Sequence, residues 1–156
     1  MQDALEPASG RFDGREHRYA LRVFYEDTDA AGIVYYANYL KFAERARTEA
    51  MRLSGRGHQD FARDEGLVFV VRHVEVDYLV PAVLDDIVLV RTRFTHMGAA
   101  YIDAEQRLFR DETLLARVVM RVVSMTKAGR PARIPPDWRM HFQAYLIDRA
   151  GEGATA

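Results

Sequence analysis

Apolar residues recur at steps of three and four between residues 39 and 53, and this spacing predicts one long helix. The stripe consists of Tyr39, Phe42, Ala43, Ala46, Ala50 and Leu53. Such a stripe buries one side of a helix, while the other side meets solvent. That opposite side carries the charged residues Lys41, Glu44, Arg45, Arg47, Glu49 and Arg52. Asn38 is the predicted N-cap and Gly55 the predicted stop, and the alanines would let a sheet approach closely.

After Gly66 the apolar period changes from the helical spacing to two, which is typical of a strand. The residues predicted to share one face are Val68, Val70, Val74, Val76, Tyr78 and Val80, and Pro81 ends the strand. Three further strands are predicted over residues 86–96, 100–110 and 114–126. Short connectors at Met97-Gly98 and Asp111-Glu112 suit hairpins between them. Residues 19–25 are predicted to form the first strand.

The order of a strand, a helix and four long strands predicts an α+β fold in which one antiparallel sheet covers one long central helix. This description matches the hotdog fold, in which the sheet is curved around the helix, although the strand order alone also suits other α+β sheets. Residues 19–147 form the predicted domain. Residues 1–18 and 148–156 mix Gly, Pro or charged residues without a period, and we predict flexible tails there.

Composition narrows the classes of function. The chain has 156 residues, 49% of them hydrophobic, and a formal charge of -1, so no overall positive field attracts nucleic acid. Without cysteine it has no disulfide, thiolate zinc site or cysteine nucleophile. The five histidines lack metal-ligand spacing, and no stretch reaches the ~20 apolar residues of a membrane span. The N-terminus has no signal-peptide pattern, so we expect a cytoplasmic protein without metal or cofactor.

An acidic segment lies between the first strand and the helix. Glu26, Asp27 and Asp29 fall within four residues there, and a solvated loop or helix-capping carboxylates would explain this cluster. The segment also runs directly into a helix N-terminus, where unpaired N–H groups and the helix dipole stabilise negative charge. A carboxylate facing such donors has the parts that acyl transfer requires. Gly32 would let the backbone turn tightly between the two parts.

Two sequence blocks resemble one known family. The first is YEDTDAAGIVYYANYLKFAERARTEAMR, beginning at Tyr25, and the second is FVVRHVEVDYLVPAVLDD, beginning at Phe69. Both are similar to the 4-hydroxybenzoyl-CoA thioesterase family, and most of all to its YbgC-like branch of Tol-Pal-associated acyl-CoA thioesterases. The resemblance implies a hotdog fold that hydrolyses acyl-CoA without a cofactor. It also implies a homodimer or homotetramer, with strands paired edge to edge and the active site between protomers.

The resemblance also implies roles for individual residues. The second aspartate of the family's D-x-D pattern is the catalytic carboxylate and corresponds to Asp29, which leaves a structural role for Asp27. The backbone N–H that polarises the substrate carbonyl corresponds to Tyr36. The YbgC-like branch often has histidine at the position of Tyr36, whereas the aromatic thioesterases have tyrosine. The acyl preference, aromatic or aliphatic, therefore stays open.

Other charged residues are candidates for substrate binding. Lys127, Arg130 and Arg133 follow the last strand in a loop punctuated by Gly and Pro, and we assign them to the nucleotide end of coenzyme A, with an exposed basic loop as the equal alternative. Arg72 is predicted to form a buried or interface ion pair. The alternative function is a non-catalytic module that binds acyl-CoA or acyl-carrier protein. A hotdog dehydratase would need a histidine in the site, and none lies near Asp29 in sequence.

Overall fold

The computed structural model describes residues 5–147 and contains one six-stranded antiparallel sheet. The strands are β1 (Arg11–Asp13), β2 (Glu16–Arg22), β3 (Leu67–Tyr78), β4 (Ile87–Met97), β5 (Tyr101–Arg110) and β6 (Thr113–Thr126). Their order across the sheet is β1-β2-β4-β5-β6-β3. The helices are α1 (Asn38–Leu53), α2 (His58–Glu65) and α3 (Pro136–Gln143). The predicted hotdog fold, a curved sheet with a central helix, is confirmed.

Helix α1 packs its alanine-rich stripe on the sheet. Phe42, Ala43 and Ala46 are completely buried against β4, β5 and β6. Leu53 was expected on this stripe but is 43% exposed. The predicted N-cap is also wrong, because Ala37 holds that position and Asn38 is already helical. The predicted stop is confirmed, since Gly55 follows the helix with a φ of 93°.

Strand β3 does not present one face along its whole length, as the alternating valines had predicted. Val71 pairs with Val122 and His73 with Arg121, so Arg72 is an extra residue in a β-bulge. Before the bulge Phe69 packs on the core, and after it Val76 does. The bulge therefore changes which side chains of β3 face the core, from odd-numbered residues before it to even-numbered residues after it. The buried ion pair predicted for Arg72 is wrong as well, since this side chain is exposed and forms no ion pair with any residue from 5 to 147, while the alternative of an ion pair across an interface stays a prediction.

The sheet begins earlier than the predicted domain boundary at residue 19. Strand β1 pairs with β2 inside the segment that was expected to be a flexible tail. Phe12 fixes β1 to the C-terminal region, because its ring lies 4.9 Å from that of Tyr145. This contact between two half-buried rings and the pairing with β2 thus order a segment whose composition resembles a loop. The predicted tail at 148–156 lies outside the described residues.

Helices α2 and α3 were not predicted, and each has only 8 residues. Each buries one large aromatic residue, Phe61 in α2 and Trp138 in α3. Their rings lie 4.9 Å apart and form a second hydrophobic cluster with Leu67, Met97 and Ile134. Within residues 5–147, none of the helices has both the length and the apolar character that a membrane-spanning segment needs.

Candidate active site

The acidic segment forms a tight hairpin-like loop ahead of α1. Thr28 bridges to Val34, and the N–H of Asp29 donates to the carbonyl of Ile33 at 2.9 Å. Gly32 closes the turn with a φ of 80°, a backbone conformation that favours glycine, and its N–H donates to the carbonyl of Asp29 at 3.0 Å. The turn predicted at Gly32 is therefore present, and it places Asp29 at the tip of the loop.

Neighbouring backbone holds the loop in place. Ile33 bridges to Val83, and the N–H of Val34 donates to the carbonyl of Ala82 at 2.9 Å. The N–H of Ala82 in turn donates to the buried Tyr39 hydroxyl, also at 2.9 Å. Burial raises the pKa of Tyr39, so this hydroxyl stays neutral at physiological pH. The loop is thus connected to the first turn of α1 through the segment around Ala82.

Asp27 has a structural role in this loop. Asp27 is only 7% exposed, and its Oδ2 accepts a hydrogen bond from the N–H of Phe24 at 2.8 Å. Its carbonyl accepts the side-chain amide of Asn38 at 2.9 Å. Asp27 therefore connects the segment after β2 to the start of α1, and its carboxylate is buried in the loop.

Asp29 has the opposite environment. Its side chain is exposed, and its Oδ1 accepts a hydrogen bond from the N–H of Ala31 at 2.8 Å. No residue from 5 to 147 donates to Oδ2. One carboxylate oxygen is therefore fixed by the turn, while the second is open to a reacting group.

Tyr36 lies between this loop and α1. Its N–H has no acceptor within the described part of the chain, while its carbonyl accepts the Tyr78 hydroxyl at 2.9 Å. The Tyr36 ring is 61% exposed and stands perpendicular to that of Tyr78, with centroids 6.0 Å apart. Since α1 begins two residues later, at Asn38, the open N–H lies at the positive end of the helix dipole.

The predicted basic residues lie elsewhere in the chain. Lys127, Arg130 and Arg133 are all exposed, in and after a turn that the N–H of Thr126 closes on the Arg130 carbonyl at 2.8 Å. Thr126 pairs with Leu67 at the first residue of β3, whereas Tyr36 contacts Tyr78 at its last. At ~3.3 Å per residue these ends are on the order of 35 Å apart. One chain therefore brings together Asp29, Gly32 and Tyr36 but not the basic loop.

Sequence reasoning missed a cavity of about 810 Å³, including its open mouth, between α1, the sheet and α3. Its walls are mostly apolar, with aromatic side chains from Phe12, Phe69, Phe94, Phe142 and Tyr145. Glu44, Arg47, Ser54 and His58 add polar groups. Arg47 was expected on the solvated face of α1, but its side chain is only 11% exposed. Helical spacing alone gave no signal of this, because the cavity depends on α3 and β1.

No group of three or more His, Asp or Glu side chains in residues 5–147 is arranged to hold a metal ion. Two of the histidines form hydrogen bonds with protein oxygens. His17 contacts the carbonyl of Ser9 at 2.8 Å, and His141 contacts the Ser54 hydroxyl at 2.8 Å.

Comparison with known sequences gives a consistent picture. Residues 31–116 match the model of the Thioesterase superfamily. The chain is 40% identical over 125 residues to the acyl-CoA thioesterase YbgC of Haemophilus influenzae, covering 80% of this chain and 92% of that protein. It is 42% identical over 124 residues to the acyl-CoA thioester hydrolase YbgC of Escherichia coli O6:H1, covering 76% of this chain and 89% of that protein.

Solved structures of thioesterases have a similar fold. A probable thioesterase from Bartonella henselae is 34% identical and superposes with a TM-score of 0.73, covering 77% of this chain and 99% of that one. A 4-hydroxybenzoyl-CoA thioesterase in complex with 4-hydroxybenzoyl-CoA superposes with a TM-score of 0.76 over 81% of this chain and 98% of that one. Its identity of 19% shows a shared fold alone.

Proposed function

The chain belongs to the Thioesterase superfamily, and we propose that it hydrolyses the thioester of acyl-CoA to a free acid and coenzyme A. The observation that carries the proposal is the open N–H of Tyr36 at the start of α1, in the same loop structure as the half-open carboxylate of Asp29. A carbonyl oxygen that accepts this N–H would be stabilised as negative charge develops on it. YbgC-like relatives with acyl-CoA thioesterase names support the same reaction.

Two chemical routes are consistent with this arrangement. In the first, the Asp29 carboxylate attacks the thioester carbon, expels the thiolate of coenzyme A and forms a mixed anhydride, which water then splits. In the second, Asp29 takes a proton from the water that attacks the carbonyl. A single turnover in oxygen-18 water tests the first route, because label enters the Asp29 carboxylate only when water splits the anhydride at the Asp29 carbonyl.

Replacing the reacting oxygen tests the assignment of Asp29. We expect Asp29→Asn to lower kcat by about 10²–10⁴-fold, the usual effect of a positioned acid or base. The neighbouring Glu26 is exposed, so Glu26→Gln is the matched control and should retain turnover. Thiol release from acyl-CoA measures both. A folded Asp29→Asn protein that loses less than about tenfold would exclude Asp29 as the catalytic carboxylate.

Lys127, Arg130 and Arg133 (the basic loop) lie far from the loop that carries Asp29. This distance indicates that two chains build one site. Strand β3 ends the sheet, so one of its edges has no strand beside it within residues 5–147. An antiparallel pairing of two β3 edges would place the Leu67 end of one strand beside the Tyr78 end of the other. The partner's basic loop and cavity would then lie near Asp29. We include this homodimer, or a tetramer built from it, in the proposal.

In this arrangement Lys127, Arg130 and Arg133 bind the nucleotide end of coenzyme A from the neighbouring chain. Their exposed side chains form no ion pair with residues 5–147, which leaves their charges available to phosphates. Substituting all three with alanine should raise KM more than it lowers kcat. The opposite result, a fall in kcat at constant KM, would remove them from the substrate site.

One observation favours a second function. Asp29 is exposed in the single chain, and one of its oxygens already caps the turn at Ala31. A module that only binds acyl-CoA or acyl-carrier protein would need no more reactive carboxylate than this. Free thiol released from acyl-CoA supports the thioesterase, whereas saturable binding without thiol release supports the module. Running both assays with acyl-carrier protein as well identifies the carrier of the acyl group.

A further inference from the structure

Arg47 is a buried cation in the wall of the apolar cavity. Its side chain is only 11% exposed, and aromatic rings form much of the surrounding surface. Burying a guanidinium among apolar groups is unfavourable unless its N–H donors find acceptors. The hydrogen bonds of Arg47 therefore indicate what else the cavity is built to hold.

Within residues 5–147, Arg47 makes two hydrogen bonds. One goes to the Oε1 of Gln106 at 2.7 Å, and the other goes to the Glu44 carboxylate. A guanidinium has five N–H donors, so three are left without an acceptor in the described chain. Gln106 is itself fixed, because its amide donates to the carbonyl of Ala43 at 2.8 Å and to the Thr92 hydroxyl at 2.9 Å. The guanidinium is thus held in the cavity wall with donors to spare.

The charge of Arg47 is already balanced by Glu44. A carboxylate ligand would add an uncompensated negative charge between apolar walls, which is costly. A neutral oxygen needs no counter-charge and can accept an N–H from the positioned guanidinium. The unmet donors and the balanced charge together favour a ligand that is apolar along its length and has a neutral acceptor at one end.

We infer that this cavity holds the acyl group of the substrate and favours an acyl chain whose far end carries a neutral hydrogen-bond acceptor, such as a hydroxyl group. Arg47 is then a residue that determines acyl specificity. The inference rests on the proposed thioesterase activity and on the pairing of two chains, because the cavity lies far from the Asp29 loop of its own chain. It concerns the choice of acyl group and leaves the chemical step to Asp29 and Tyr36.

The first test uses the unmodified protein. Hydrolysis of hexanoyl-CoA, 6-hydroxyhexanoyl-CoA and adipyl-CoA is compared by thiol release. We expect kcat/KM to be about tenfold or more higher for the hydroxylated chain than for hexanoyl-CoA, since a hydrogen bond to a charged group contributes ~1.5–3 kcal/mol. Adipyl-CoA, with a terminal carboxylate, should be the poorest of the three.

The second test uses matched arginine variants. Arg47 and Arg52 each pair with a glutamate three residues earlier on α1, but Arg52 is 60% exposed and does not line the cavity. Arg47→Met should abolish the preference for the hydroxylated chain, and Arg52→Met should retain it. Comparing the ratio of two substrates removes any general loss of active protein.

The outcomes separate the two levels of the proposal. If no acyl-CoA releases thiol, the proposed thioesterase activity is wrong. If hexanoyl-CoA is hydrolysed as well as its hydroxylated analogue, or better, the activity stands and the role of Arg47 is overturned. The role is equally overturned if Arg47→Met keeps the preference or if Arg52→Met loses it. An Arg47 variant that does not fold leaves the comparison in the unmodified protein decisive.

Discussion

Two aspartates separated by one residue have opposite environments in the loop ahead of α1. Asp27 is buried and accepts a backbone N–H, whereas Asp29 is exposed and keeps one oxygen open. Charge clustering in the sequence did not distinguish them. The division of roles came from the family pattern, and burial gives its physical reason, because the Asp27 carboxylate is enclosed by the loop and bonded to the N–H of Phe24, whereas Asp29 is exposed.

Removing the Asp27 carboxylate should therefore destabilise the fold. In Asp27→Ala the N–H of Phe24 loses its acceptor, and a partly buried hydrogen bond of this kind contributes about 0.5–1.5 kcal/mol. Glu26→Ala is the control, since an exposed side chain away from such contacts usually changes stability by about 0.5 kcal/mol or less. Urea unfolding followed by circular dichroism measures both. Equal effects would mean that the Asp27 hydrogen bond contributes no stability.

His17 is expected to make the free energy of unfolding depend on pH. It is completely buried, its Nε2 contacts the Ser9 carbonyl, and its Nδ1 has no partner in the described residues. Burial lowers the pKa of His17 below its ordinary value of 6.5. As pH falls through that value, the unfolded chain takes up a proton that the folded chain refuses, so stability is complete above it and declines below it.

We expect the free energy of unfolding to fall by up to about 1.4 kcal/mol per pH unit for this one proton, between pH 6.5 and the lower folded pKa. Urea unfolding at pH 7.5, 6.0 and 5.0 measures the slope. His17→Gln cannot take up the proton and can still donate to the Ser9 carbonyl, so its slope in this range should be smaller. An unchanged slope in this variant would assign the pH dependence to other groups.

At the level of elements, the sequence predicted those that are long and strongly periodic. Helix α1 and the hairpins of β4, β5 and β6 lie within a few residues of their predicted bounds. Helices α2 and α3 escaped prediction because 8 residues allow little more than two turns of periodicity. The bulge at Arg72 was also hidden, since even-numbered valines on both sides of it gave the appearance of one face.

Strand β1 depends on a glycine at its start. Gly10 and Gly14 both have a positive φ, so alanine at either position is strained. At Gly10 a Cβ would also lie 2.1 Å from the carbonyl oxygen of Arg18, whereas at Gly14 it would meet nothing within 4 Å. Gly14→Ala should cost about 1 kcal/mol of unfolding free energy, and Gly10→Ala clearly more. Urea unfolding compares them, and equal losses would show that β1 shifts freely away from β2.

At the level of the whole molecule, the outer edge of β3 is an exposed surface with no strand paired to it within residues 5–147. Val70, Val71 and Val74 on this strand are 41%, 45% and 38% exposed. Unpaired edges with apolar residues favour association with another strand. Pairing with a second copy would cover them and would bring the two halves of the proposed site together.

Charge on this edge should separate the copies. Val70→Glu with Val74→Glu places like charges near the proposed two-fold axis, and we expect the dissociation constant of the dimer to rise about tenfold or more, with activity lost in parallel. Leu53→Glu, at another exposed apolar position, is the control. Analytical ultracentrifugation and thiol release provide the readouts. An unmodified protein that sediments as a monomer and still hydrolyses acyl-CoA would contradict the shared site.

The sequence predicted only those parts of the proposed site whose residues lie close together along the chain. Asp29, Gly32 and Tyr36 are close in sequence, so a local motif could place them. The cavity beside Arg47 is formed by β1, α1 and α3, which are distant in sequence, and the helical spacing of α1 predicted Arg47 on the solvated face. Contacts between distant segments decided which charged residues of α1 are buried.

The extra residue at Arg72 also limits how this chain can change. Because the two halves of β3 bury opposite sets of side chains, deleting Arg72 would put one half out of phase, turning either Phe69 or Val76 away from its hydrophobic cluster. A substitution there leaves the phase intact. We therefore expect this position to tolerate many amino acids but never a gap, so that length rather than identity is what the fold requires of it.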